Sequence, residues 1–256
     1  MEIRLARSMG FCFGVKRAVS TAERAVEVRG TITSLGHLVH NDQVVQRLED
    51  CGVRVARELA EIDSGPMVIS AHGVGQATYE DAQRRGLEII DATCPIVRQI
   101  QKKARQLSEE GYLVVIFGDR DHAEVRGVVG WTDGKAQVVG TPNDLASLAP
   151  ARKVAVLAQS TLTQATFDGL LGALIAARMG QLQQLVVHNT LCNATTSAQA
   201  AALELAQDVG VIIVVGGHCS ANTRHLAALC TETGVPTHHI EQAVELQAKA
   251  VRGEIE

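Results

Sequence analysis

Three cysteines, each just ahead of a helix-forming stretch, are the residues of this sequence best suited to chemistry: Cys12 in GFCFGVKRAVSTAERA, Cys94 in ATCPIVRQIQKKARQL and Cys192 in TLCNATTSAQAAALEL. A second set of polar residues keeps step with them. His40 (TSLGHLVHND), His122 (IFGDRDHAEV) and Ser220 (VVGGHCSANT) each follow one of the cysteines by 28 positions. Each of these segments ends a strand-like run in a turn of small and polar residues. A third class occurs twice, as VISAHGVGQATYEDA around His72 and VLAQSTLTQATFDGL around Ser160. Both run from an apolar strand through a turn into Gln-Ala-Thr and a helix. Matched spacings that link the same kinds of local structure point to a threefold internal repeat.

Parallel α/β units present their functional turns at the carboxyl ends of strands, where helices begin. Three units about a pseudo-threefold axis would therefore bring Cys12, Cys94 and Cys192 to a common centre. A helix N-terminus lowers a thiol's pKa and favours the metal-binding thiolate, and Pro95 suits a first helical position. Three converging thiolates fit a cubane iron–sulfur cluster with one iron not held by cysteine, a Lewis acid with room for substrate. A zinc site of three cysteines and a histidine competes with this reading, although zinc motifs usually supply ligands in close pairs. So does the plain reading of buried cysteines as small hydrophobes. Cys51, in VVQRLEDCG, falls on an apolar helix face with Val44 and Leu48 and is expected to pack. Cys219 lies in a site turn where it could be accessible, and Cys230 is undecided.

His40, His72, His122, Ser160, Thr161, Ser220 and Asn222, together with helix N-termini, would ring a pocket for an anion such as a phosphate or diphosphate. Glu124, two residues after His122, is the carboxylate most closely associated with a site histidine. Burial would raise its pKa and make it a proton donor. His37, His188, His218, His225, His238 and His239 read as surface or core residues. GGHCSAN is no phosphate loop, because neither a Walker A lysine nor GxGxxG is present.

The elements that must position these groups follow from hydrophobic periodicity. IRLA, TITSL, MVISA, LEIID, YLVVIFG, KVAVLA, QLVVH, VIIVVGG and PTHHI read as strands, and KRAVSTAERAVEV, IVRQIQKKARQLSEEG and TTSAQAAALELAQDVG as amphipathic helices. Alternation of this kind predicts mostly parallel sheets with flanking helices. The fold expected is α/β: three pseudo-threefold-related units around a central cavity, spanning 1–93, 94–190 and 191–256. The third would be incomplete, ending in a helix-like AVELQAKAVRGEIE where another strand and turn are due. With 256 residues, 46% hydrophobic and 20% charged, the chain is globular, and its net charge of -4 and few aromatics speak against a nucleic-acid surface. No apolar run spans a bilayer and MEIRLARSMG is not a signal peptide, so a cytoplasmic protein with reduced cysteines is expected.

GFCFGVKRAV, HLVHN, SAHGV, DATCP, DHAEVRG, AQSTL, the Cys192 turn and SANT together resemble, in order, the motifs of the 4-hydroxy-3-methylbut-2-enyl diphosphate reductase (IspH/LytB) family. The resemblance runs to about residue 250. It implies a [4Fe-4S] cluster on Cys12, Cys94 and Cys192, and reductive dehydroxylation of (E)-4-hydroxy-3-methylbut-2-enyl diphosphate to isopentenyl and dimethylallyl diphosphates, the last step of the non-mevalonate isoprenoid route. It implies that His40, His72, His122, Ser220 and Asn222 grip the diphosphate, that Ser160 and Thr161 position the hydroxyl, and that Glu124 feeds it protons. It further implies ferredoxin or flavodoxin as electron donor; a monomer away from membranes is expected. Ala221 stands where a second serine is common and Ser160 where threonine is usual. The family's later strand and TAGAS-like turn have no counterpart here, so an unpaired sheet edge and a pocket open on one side are expected. A relative that keeps the cluster without turnover, and a zinc-dependent hydrolase, are the alternatives.

Overall fold

A computed structural model describes residues 2–246. Eight α-helices and ten β-strands follow one another along the described residues, with four short 3-10 helices among them. The first run is α1 (Phe13–Arg29), β1 (Ile32–Leu35), α2 (Asp42–Asp50), β2 (Val53–Ala56), β3 (Pro66–Ile69), α3 (Gln76–Arg84) and β4 (Glu88–Asp91). The second is α4 (Pro95–Glu109), β5 (Leu113–Phe117), α5 (Ala123–Gly130), β6 (Gln137–Val139), β7 (Lys153–Ala158), α6 (Gln164–Arg178) and β8 (Gln184–Val187). The third is α7 (Asn193–Ala206), β9 (Ile212–Val215), α8 (Ala221–Glu232) and β10 (Thr237–Ile240).

Among the described residues these strands form three sheets, ordered β2-β1-β3-β4, β6-β5-β7-β8 and β10-β9, and every pairing is parallel. The first two share one topology, and the third repeats its first two strands. In each, the strand after a cysteine-led helix (β1, β5 or β9) pairs with the strand that follows the next helix. Pairings such as Leu35 with Ala56 and Ile69, Phe117 with Val139 and Ala158, and Val215 with Ile240 align the strand ends from which the site turns depart.

The second sheet carries the most deeply buried core. β5 and β7 are buried on both faces, which is why LVVIF and KVAVLA read as unbroken apolar runs. Phe117 meets the edge of Phe167 on α6, with ring centroids 5.8 Å apart. β9 instead alternates: Ile212 and Val214 face α7 and α8 with Cys230, while Ile213 and Val215 are exposed.

The expected α/β architecture is present, with four departures in detail. β2 and β6 were not expected from sequence; each lies at one edge of its sheet, opposite β4 or β8. Residues 3–6, IRLA, are not a strand. They precede Cys12 as β4 and β8 precede Cys94 and Cys192, yet no ladder holds them among the described residues. Ile3 and Leu5 are 77% and 69% exposed, and the segment is tied down by Arg4 to Glu2 and Asp208 and by Arg7 to Glu204. Cys51 is exposed, because α2 ends one residue earlier and Leu48 alone of the expected trio is fully buried. In the expected terminal helix, Ala243–Glu245 form one 3-10 turn that ends at an extended Leu246, and 247–256 lie outside the described residues.

Candidate active site

Each of the three cysteines is the N-cap of its helix: Cys12 of α1, Cys94 of α4 and Cys192 of α7. None closes a tight capping hydrogen bond with its side chain, although the Ile96 and Val97 N–H groups approach the Cys94 sulfur. The start of α1 lies against Cys94. A Cβ added at Gly14 would sit 2.7 Å from Cys94 Sγ and 3.8 Å from Cys12 Sγ, so the two sulfurs flank one point that only glycine leaves open. Cys192 is the third member, tied by its N–H to the Ser160 carbonyl at 2.9 Å and near enough to act electrostatically on Cys94.

The expected thiolate does not form at Cys94 by helix geometry alone. Burial raises its pKa, the N–H groups of Ile96 and Val97 pull it down, and Cys12 and Cys192 push it up again, with a net rise. Three sulfurs gathered this closely resist simultaneous ionisation unless a cationic group joins them. Cys12 is exposed and the other two are half-buried.

The turns after the next strands converge in the same way. The imidazoles of His40, His72 and His122 pack with centroids 4.7, 5.3 and 6.0 Å apart. Their ring nitrogens lie within 4.8 Å of one another, close enough to share one cation or to donate to one anion. Burial is the main cause of their lowered pKa values, to about 3 for His72 and about 4 for His122, and the neighbouring imidazoles add to it. All three are therefore neutral at pH 7. His122 Nδ1 accepts the Glu124 N–H at 3.3 Å, which puts the imidazole proton on Nε2. His40 Nε2 is buried and has no hydrogen-bond partner among the described residues. A protonated Nε2 suits donation to an anion better than ligation of a metal.

Glu124, in the first turn of α5, is 2% exposed. Its Oε1 accepts the Ser160 N–H at 2.7 Å, and its Oε2 lies 2.7 Å from Ser160 Oγ. Burial raises its pKa as expected, against the opposing pull of the Ser160 hydrogen bonds. Ser220 caps α8 by accepting the Thr223 N–H at 3.3 Å, and Asn222 in that first turn has no hydrogen-bond partner among the described residues. The Ser220 turn is pressed onto the His40 turn: a Cβ at Gly217 would lie 2.1 Å from the His40 carbonyl oxygen.

Several residues escaped the sequence reading. His225, one helical step past Asn222, binds the Thr161 carbonyl through Nδ1 at 2.8 Å and joins the third unit to the second. Gln159 is buried beside Ser160, donating to Thr161 Oγ1 at 2.8 Å and accepting the Asp119 N–H at 2.9 Å. Arg224 donates to the Cys219 carbonyl at 3.0 Å and is close enough to lower the pKa of His40 and His122. Only the helical phase of His225 and the adjacency of Gln159 to Ser160 gave any signal. Of the undecided cysteines, Cys219 is exposed and Cys230 is buried in the third core.

The LytB protein family profile matches residues 3–255. A curated relative from Geobacter sulfurreducens, named 4-hydroxy-3-methylbut-2-enyl diphosphate reductase, is 45% identical over 253 residues, covering 99% of this chain and 88% of its own length. One of the same name from Dehalococcoides mccartyi (strain CBDB1) is 40% identical over 254 residues, covering 99% and 89%. A solved (E)-4-hydroxy-3-methyl-but-2-enyl diphosphate reductase, described as the terminal enzyme of the non-mevalonate pathway, is 37% identical, with a TM-score of 0.72 over 98% of this chain and 89% of the other. The E-1-hydroxy-2-methyl-but-2-enyl-4-diphosphate reductase of Plasmodium falciparum superposes with a TM-score of 0.88 at 26% identity, covering 95% and 77%.

Proposed function

This chain belongs to the LytB protein family, and from that premise we propose that it acts as its relatives are named, as a 4-hydroxy-3-methylbut-2-enyl diphosphate reductase of non-mevalonate isoprenoid biosynthesis. In the proposed reaction the allylic hydroxyl leaves as water. Two electrons and two protons enter, the C–O bond breaks, and the allylic carbons retain the electron pair and one proton to give isopentenyl or dimethylallyl diphosphate. The electrons come one at a time from a ferredoxin or flavodoxin.

Cys12, Cys94 and Cys192 would hold a [4Fe-4S] cluster. When bound, it supplies a Lewis-acidic iron free of cysteine and a store for the incoming electrons. The residues fit such a group in two respects. Gly14 keeps the space between the Cys12 and Cys94 sulfurs clear, and Cys192 is near enough to act electrostatically on Cys94. The Cys94 thiol, held protonated by burial and its fellow sulfurs, has the character of a site that needs a cation to ionise.

The other residues bind and move protons. His40, His72 and His122 are neutral donors that would hold the diphosphate, with Ser220 and Asn222 closing on it from α8. Desolvated donors of this kind gain most when the charge they face is an anion. Glu124, whose pKa burial raises, would give a proton from Oε2 to Ser160 Oγ as Ser160 releases its own hydrogen to the departing hydroxyl, which leaves as water. Thr161, fixed through its carbonyl by His225, would help orient that hydroxyl.

The meeting of the three N-capping cysteines carries this reading. Its test is anaerobic reconstitution with iron and sulfide, followed by assay with reduced methyl viologen. The expected result is about four irons and four sulfides per chain and loss of the allylic alcohol signal from the substrate. Protein that takes up no labile sulfide, or takes up zinc stoichiometrically instead, would overturn it. Protein that takes up the cluster but leaves the substrate intact would favour the non-catalytic relative.

A further inference from the structure

The side chains that would hold the diphosphate are all neutral. Burial keeps His40, His72 and His122 uncharged at pH 7, and Ser220 and Asn222 carry no charge. A diphosphate ester brings several negative charges into that pocket, the larger share on its terminal phosphoryl group. A helix N-terminus offsets about half an elementary charge, which leaves most of the anion uncompensated. The chain as a whole repels an anion too, with a net charge of -4.

Arg224 stands where a cation is wanted. It lies in α8 one helical turn past Ser220, on the same face. The segment that carries it crosses from the first unit to the second: Gly217 abuts the His40 carbonyl, and His225 binds the Thr161 carbonyl at 2.8 Å. Nη1 of Arg224 donates to the Cys219 carbonyl at 3.0 Å and to the His218 carbonyl at 3.4 Å, which folds the side chain back over the turn that ends at Ser220. Its Nε and Nη2 have no acceptor among the described residues, and no carboxylate there pairs with it. The carboxylates that reach this turn, Glu241 and Glu245, are taken up by the N–H groups of Asp42, His218 and Gln242 and by the His218 ring. The charge of Arg224 is felt at two of the three imidazoles, where it lowers the pKa of His40 and of His122.

We infer that Arg224 binds the terminal phosphoryl group of the substrate and sets the preference of the pocket for a diphosphate over a less charged head group. The inference rests on the allylic diphosphate reading of the site and adds to it a charge that the histidine turns lack. With its backbone contacts made through Nη1, the guanidinium keeps Nε and Nη2 for two phosphoryl oxygens at once, a paired geometry that lysine does not offer. The reacting end of the substrate has to lie by Ser160 and the cysteines. The terminal phosphoryl group, at the other end, is the part left for an exposed residue such as Arg224.

The test compares the parent protein with Arg224→Gln and Arg224→Lys, all reconstituted. Calorimetry with inorganic diphosphate and with inorganic phosphate gives Kd at low and high salt, and viologen-driven turnover gives kcat and KM. Arg224→Gln should weaken diphosphate binding by about ten- to a hundredfold and phosphate binding less, with a flatter salt dependence. KM should rise by a similar factor and kcat change little. Arg224→Lys should recover part of the affinity and the salt dependence of the parent, because it restores the charge without the fork. Equal diphosphate Kd values in the parent and Arg224→Gln overturn the inference and leave the proposed reaction standing. So does a loss that Arg224→Lys does not rescue and that leaves the salt dependence unchanged, the mark of a residue that only braces the Cys219 turn. A parent that binds diphosphate without viologen-driven turnover, and loses that binding in Arg224→Gln, defeats the proposed reaction and upholds the inference.

Discussion

At the scale of single residues, Glu124 is governed by an unequal contest over its proton. Burial favours the acid and the two Ser160 hydrogen bonds favour the anion, and burial prevails. Glu124→Gln keeps the size and much of the hydrogen bonding but has no proton to give. Viologen-driven kcat should fall by about 10²–10⁴-fold with KM little changed. The histidines make a pH prediction with a defined sign. His72 and His122 titrate at about 3 and 4 in the folded chain, and an unfolded histidine near 6.5. Between those values the unfolded chain binds more protons, so stability falls as pH drops below about 6.5 and goes on falling toward 3. His72→Gln should make that acid limb shallower, read as the urea midpoint between pH 7 and 4. Glu124 acts in the opposite sense. Its raised pKa contributes stability that is full below its unfolded value and fades as pH rises through the folded one.

At the scale of elements, the start of α1 is set by its approach to Cys94. Alanine is the better helix former by roughly 0.5–1 kcal/mol, but the buried Gly14 has no room for a methyl, so Gly14→Ala should leave the melting temperature unchanged or lower it. Its methyl group would lie 2.7 Å from Cys94 Sγ, so iron retained per chain after reconstitution should drop severalfold. An unchanged iron content would show that α1 can retreat from Cys94. The elements also show what the sequence could disclose. The cysteine-led helices were legible because small turn residues, Pro95 and a 3.6-residue apolar period agree there. β2 and β6 were not: VRVA is broken by the exposed Arg54, and QVV is only three residues long. IRLA failed in the other direction: it has the composition of a strand, but a strand also needs a neighbour, and local sequence does not encode one. The pKa of Cys94 escaped for a similar reason, because the other two sulfurs are distant in sequence and near in space.

At the scale of the molecule, separate units meet where the site is. The Glu241 carboxylate accepts the Asp42 N–H at 2.9 Å and the His218 N–H at 3.3 Å, His225 reaches Thr161, and Gly217 abuts His40. An anion gripped by turns from all three units should therefore act as a clamp on the whole fold. Inorganic diphosphate at 100 times its Kd should stabilise the protein by about 2.7 kcal/mol, measured as a rise in melting temperature that His72→Gln abolishes. Amide exchange should be slowest in β5 and β7, which are buried on both faces, and fastest in β9 and β10.

The glycine gap between Cys12 and Cys94 has a practical side. Two free sulfurs that flank one point, one of them open to solvent, are a pair that dissolved oxygen can couple. Protein handled on an open bench would then staple the first helix to the fourth and arrive at the glove box with its iron site already shut. A dithiol wash before metal loading thus belongs to the chemistry of this molecule as much as to its housekeeping.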